Sequence, residues 1–114
     1  MCNNICVKIR GSLELVPVDD IHYLLADHKY VTLKTAAHEY LIEESLKSLE
    51  DEFGELFTRI HRNALVANRY ITGMEKNTDG HHVIVLQNMD DRLEISRRHL
   101  PLVRKKIKAM ATVK

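Results

Sequence analysis

Residues 57–71, FTRIHRNALVANRYI, set two arginines, a histidine and an asparagine as a short polar island between apolar runs. FTRI and ALVA have the length and side chains of short strands, so Arg59, His61, Arg62 and Asn63 fall in or beside the loop that joins them. A plain turn would have joined the same strands. The composition of the island therefore points to a use beyond chain reversal.

Outward from that hairpin the pattern stays short and strand-like. Downstream, RYITGME (69–75) and HHVIVLQ (81–87) flank the turn signal Asp79-Gly80, and RLEI (92–95) follows. Upstream, ICVKI (5–9), SLELV (12–16), IHYLL (21–25), KYVTLKT (29–35) and HEYLI (38–42) show alternation or β-branched and aromatic content. Only Ala36-Ala37, a poor turn sequence, separates the last two. Two helices complete the reading. Leu46, Leu49 and Phe53 recur at helical spacing behind Ser45, an N-cap, with Gly54 expected as a left-handed stop. Glu50, Asp51 and Glu52 crowd the C-terminus of that helix, the unfavourable end for acids. Leu100, Val103, Ile107 and Met110 make a second apolar stripe under a basic face, with Pro101 tolerated in the first turn. The sum is a mainly β domain of about ten short strands and two short helices.

At 114 residues, 45% hydrophobic and 29% charged, the chain has the length and composition of a single folded domain, 1–114. No apolar run approaches the roughly 20 residues that span a bilayer, and MCNNICVKIR lacks a signal peptide's apolar core. A cytoplasmic protein with no membrane partner is expected. Cys2 and Cys6 are too few for a disulfide framework and have neither redox nor zinc spacing, so both are expected to be reduced.

The net charge of +1 conceals a segregation. Between Glu43 and Glu55 stand Glu43, Glu44, Glu50, Asp51, Glu52 and Glu55 against Lys47 alone, a surface that would repel a polyanion. Between Arg92 and Lys114 stand Arg92, Arg97, Arg98, Arg104, Lys105, Lys106, Lys108 and Lys114 against Glu94. A solvated helix face would explain such a run as well as a ligand would.

Catalytic signatures are missing. The sequence has no HExxH, GxSxG, Walker loop, GxGxxG or EF-hand loop, and His81-His82 would point to opposite faces of a strand. No catalytic, metal or cofactor-binding residues are assigned, and no cofactor is expected. A phosphodiesterase dependent on His61 stays open as a minor alternative. The tyrosines and phenylalanines are spread through the strands and are explained by core packing rather than by base stacking.

Three polar islands remain: Asp27-His28-Lys29-Tyr30, Arg59 to Asn63, and Ser96-Arg97-Arg98-His99. Their side chains suit DNA. Arginine forks onto guanine, asparagine pairs with adenine, and lysine, serine and histidine reach phosphate. Each island alone could be a capped turn, with Asn63 holding a loop or Ser96 capping the last helix. Three together, one of them beside a basic tail, make DNA binding and plain surface chemistry equally good readings.

FTRIHRNALVANRYI followed by RLEISRRHLPLVRKKI resembles the signature of LytTR DNA-binding domains, the output domains of one class of bacterial response regulators. The resemblance extends through ELVPVDDIHYLLADHKYVTLKT and YLIEESLKSLEDEFGELF. ADHKYVTL with RIHRNALVA is most similar to the alginate biosynthesis regulator branch. It implies an elongated fold of about ten strands in three small antiparallel sheets that reads imperfect direct repeats of double-stranded DNA through loops.

Residue by residue, the resemblance carries DNA contact to His28, Lys29 and Tyr30, to His61, Arg62 and Asn63, and to Ser96, Arg97 and Arg98. Arg62 and Arg98 are expected to read bases, Lys29, Arg59 and Arg97 to touch mainly phosphate, and His61 to buttress its loop. The implied partners are promoter DNA, a receiver domain in a full-length protein, and RNA polymerase. No receiver domain fits within the 114 residues, so a two-component phosphorelay is implied only through the family. A monomer in isolation is expected, since direct repeats let copies bind head to tail. The alternative from another class is an interaction module whose basic last helix docks on an acidic partner or a receiver domain.

Overall fold

IHYLLA, residues 21–26, is apolar on both faces, and such a strand needs a packed layer on each side. The computed structural model describes residues 4–110, so Cys2 and Lys114 lie outside the described residues. In chain order the elements are β1 (Asn4–Ile9), β2 (Ser12–Pro17), β3 (Ile21–Ala26), β4 (Val31–Thr35), β5 (Glu39–Ile42), α1 (Leu46–Phe53), β6 (Phe57–His61), β7 (Ala64–Ala67), β8 (Ile71–Lys76), β9 (His82–Leu86), β10 (Arg92–Glu94) and α2 (Leu100–Met110). Short 3-10 turns at Val18–Asp20 and Asn68–Tyr70 lead into β3 and β8.

The strands form three antiparallel sheets: β1-β2, the five-stranded β5-β4-β3-β7-β6, and β10-β9-β8. β3 is the middle strand of the largest. One face of that sheet, through Ile21, Leu24, Leu33 and Leu65, packs against α1 and the β1-β2 hairpin. The other, through Tyr23, Ile60, Ala64 and Val66, packs against β8 to β10 and α2. The molecule measures 45 × 34 × 25 Å, so the arrangement is elongated, as expected.

Two irregularities decide where side chains point. The register of β3 on β4 slips between Ile21 and Tyr23, and that of β6 on β7 slips between Arg59 and His61. A bulge adds one residue and reverses the inward-outward alternation beyond it. Arg59 therefore pairs with Leu65 on the α1 side, whereas His61 pairs with Ala64, whose side chain belongs to the α2 side.

Most sequence expectations for the elements hold, and the exceptions have local causes. The β4–β5 turn at Ala36-Ala37 forms because the Thr35 hydroxyl accepts from the Ala37 and His38 amides, supplying what two alanines cannot. Ser45 caps α1 through Ser48 as expected. Gly54 is not left-handed: its φ of −60° is right-handed, and a β-carbon there would lie 2.5 Å from the Glu50 carbonyl oxygen. Glycine is needed at 54 for room, not for φ. The apolar stripe of α2 buries Val103 and half-buries Leu100 and Ile107, but Met110 at its end is exposed. Tyr30 also leaves the core reading, being 42% exposed. Cys6 is a free, exposed thiol. Among the described residues no helix is long and apolar enough to cross a membrane.

Candidate nucleic-acid interface

The three polar islands meet at one end of the central sheet. β3 and β7 are antiparallel, so the loop leaving β3 and the loop entering β7 emerge side by side. The Ala26 amide donates to the Asn63 carbonyl at 2.7 Å and joins the first two islands. The Ser96 amide donates to the Ile60 carbonyl at 2.9 Å and hangs the third beside the end of β6. Ile95, buried in the second core, anchors that segment from below. The Tyr23 hydroxyl donates to Asp91 at 2.7 Å and steadies the approach to β10. Burial first, and then this acceptor, push the phenol of Tyr23 well above its ordinary range.

The loops thus form a row across the strand ends, in the order 27–30, 61–63, 96–99. With strands about 4.8 Å apart, neighbouring loops lie roughly 10 Å apart and the row spans about 20 Å.

In the first loop His28, Lys29 and Tyr30 are exposed. Asp27 shapes it: its carboxylate accepts from the His28 amide at 2.7 Å, and its own amide donates to the Tyr30 carbonyl. In the central loop Arg62 is exposed, while His61 and Asn63 are half-buried. The Asn63 amide makes a long contact, 3.5 Å, with His61 Nδ1. Asn63 itself holds the first loop through its carbonyl. In the third loop Arg97 and Arg98 are exposed and Ser96 is half-buried. Ser96 caps the turn before α2: its Oγ accepts from the His99 amide and lies 2.6 Å from His99 Nδ1.

Some surface cations are neutralised by neighbouring acids. Lys34, Lys47, Arg69 and Arg92 each have a carboxylate partner. Among the described residues Lys29, Arg62, Arg97 and Arg98 have none within 4.0 Å, so four cations face outward along the row. Arg59 is different, being paired with Glu50 at 2.8 Å. That pair also explains the acid at the C-terminal end of α1, which the dipole disfavours.

Asp27 and His99 stand in the polar islands but carry no DNA contact in the sequence reading; in the structure both shape the loops. Burial holds the His99 imidazole below its ordinary range, reinforced by the guanidinium groups of Arg59 and Arg98 and by His61, with Glu50 opposing. The signal for His99 was its spacing three residues after Ser96. Among the described residues no three His, Cys, Asp or Glu side chains gather to hold a metal. Unpaired, exposed forks and ammonium groups along a rigid row suit phosphates and the edges of bases.

Comparison with known proteins agrees with this chemistry. The family model of the LytTr DNA-binding domain matches residues 11–108. The chain is 47% identical over 104 residues to the positive alginate biosynthesis regulatory protein of Pseudomonas aeruginosa, covering 90% of this chain and 42% of that protein. The chain thus spans less than half the length of that relative. A solved LytTr DNA-binding domain of a Bacillus cereus response regulator superposes with a TM-score of 0.82 at 20% identity, covering 94% of this chain and 98% of that one.

Proposed function

The chain belongs to the LytTr DNA-binding domain family, and from that premise we propose that its three-loop row reads double-stranded DNA by sequence as the output of a transcriptional regulator. The observation that carries this is the row itself: four exposed cations without carboxylate partners, held on loops joined by the Ala26–Asn63 and Ile60–Ser96 hydrogen bonds. Arg62 and Arg98 are the base readers, since a free guanidinium can fork onto guanine O6 and N7. Lys29 and Arg97 hold phosphate, with His28 and Tyr30 on the same strand of backbone. His61, Asn63 and Ser96 shape the loops and donate from them. The reading requires no catalytic group.

A row of about 20 Å against a helical repeat of about 34 Å covers little more than half a turn of duplex from one side. One chain then occupies one repeat, and imperfect direct repeats recruit further copies head to tail. A receiver domain in a longer protein, under two-component control, and RNA polymerase are the partners this role calls for.

The test compares a duplex selected from a random pool by the wild-type chain with a scrambled duplex. Arg62→Ala should cost about 1–3 kcal/mol on the selected duplex and relax preference at one position. Lys29→Ala should weaken both duplexes alike and lower the salt slope by about one unit. Equal losses on both duplexes for Arg62→Ala would remove it as a base reader.

A further inference from the structure

Arg59 stands in the row of cations but does not face out of it. Its side chain is 19% exposed, and its Nη2 and Nε both reach Glu50 Oε1 on α1, at 2.8 and 3.3 Å. Its Nη1 donates to the backbone carbonyl of Arg62. One guanidinium therefore joins helix α1, strand β6 and the apex of the central loop.

We propose that Glu50 and Arg59 form a brace that positions the central loop for DNA, with Arg59 acting through the Arg62 backbone and not by touching phosphate. This rests on the DNA-reading function of the row. The guanidinium fork is planar and rigid, so fixing two of its nitrogens on one Glu50 oxygen fixes the direction of the third. That third nitrogen, Nη1, holds the carbonyl of Arg62 and so limits the backbone angles from which the Arg62 side chain departs. A loop held this way has less conformational freedom to lose on binding. The bulge between Arg59 and His61 separates the two side chains. Arg59, in register with Phe57, lies on the α1 side of the sheet, where Glu50 is, and the bulge beyond it turns His61 to the α2 side, near His99. The Arg59 charge would otherwise add to those of Arg62 and Arg98, and Glu50 offsets it.

The brace inverts what electrostatics alone would give. Glu50 is an acid close to a surface for a polyanion, so removing it should strengthen binding to every duplex if charge were all that mattered. If it holds Arg59, removing it should weaken sequence-specific binding.

The experiment measures binding of the wild-type, Glu50→Ala, Glu50→Gln and Arg59→Ala chains to a duplex selected on the wild type and to its scrambled counterpart, across salt concentration. Glu50→Ala should weaken the selected duplex about tenfold, the low end of one base contact, and leave the scrambled duplex and the salt slope unchanged. Glu50→Gln keeps an acceptor for Arg59 and should retain most of the specific affinity. Arg59→Ala should match Glu50→Ala, again without a change in slope. Retained binding to the scrambled duplex shows that each variant is folded. Tighter binding of the selected duplex by either Glu50 variant would overturn the brace. So would a fall of about one unit in the salt slope of Arg59→Ala, the mark of a phosphate contact. A wild-type chain that binds both duplexes equally would overturn the DNA-reading function, and the brace with it.

Discussion

His99 is the residue on which the charges of the row converge. Burial and the neighbouring Arg59, Arg98 and His61 lower its affinity for a proton relative to an unfolded histidine of about 6.5. A group that binds its proton less tightly when folded favours unfolding as pH falls, so stability is complete above the unfolded value and is lost as pH drops through the folded one. The melting temperature of the wild type should therefore decline below about pH 6.5, and His99→Asn should flatten that decline. Parallel curves for the two proteins would remove His99 as the source. Arg98 is exposed and has no acid within 4.0 Å among the described residues. Arg98→Ala should cost about 1–3 kcal/mol on the selected duplex, measured by anisotropy, with preference relaxed at a position different from that of Arg62. These two roles differ in how far they could be seen in sequence. The arginines were marked by type, because the fork has few other uses on an exposed loop. His99 was marked only as a member of its island, because its environment comes from burial and from Arg59 on another strand.

Among the elements, α1 links the first core to the loops. Leu49 is 1% exposed, packed with Phe53, Phe57 and Leu65, and its neighbour Glu50 holds Arg59. Leu49→Ala should cost about 2–5 kcal/mol in urea unfolding. If α1 supports the loop, the same variant should lose more affinity on the selected than on the scrambled duplex, under conditions where it is folded. α2 starts beside the third loop and ends with Met110 near Val18, Leu56 and Asn68, at the opposite end of the sheet. At 1.5 Å per residue, Lys108 lies about 12 Å along the axis from Leu100. Lys108→Ala should thus change DNA affinity less than Lys29→Ala. The strands and helices themselves were legible, because alternation in ICVKI and the spacing of Leu46, Leu49 and Phe53 record burial directly; in SLELV the alternating Leu13 and Leu15 are exposed instead, and Val16 is the residue buried. The bulges beside His22 and Ile60 were not. A single added residue leaves no mark in composition, yet it decides that Arg59 and His61 face opposite sides. The adjacency of the islands was equally hidden, because the Ala26–Asn63 and Ile60–Ser96 bonds join residues far apart in sequence. Only the family resemblance joined them beforehand.

At the scale of the whole molecule, which is 45 Å long, the exposed Lys29, Arg62, Arg97 and Arg98 lie together at one end of the central sheet. The row is bounded on the β5 side by Glu43 and Glu44, which border the same cavity as Tyr30 and Lys8. They limit how far a polyanion can extend past the first loop. Replacing both with lysine should raise affinity for every duplex, most at low salt, without improving discrimination. Two copies on neighbouring repeats need no strong contact with each other, and light scattering at micromolar concentration should find a monomer; a stable dimer would contradict the head-to-tail arrangement. The central claim is that the three loops read sequence as one surface. Fluorescence anisotropy of the chain on its selected duplex and on the scrambled duplex, at two salt concentrations, tests it most directly. The account predicts that the selected duplex binds about a thousandfold or more tightly than the scrambled one, within the range of specific readers. Equal affinities, both abolished by salt, would show that the row is only a basic surface.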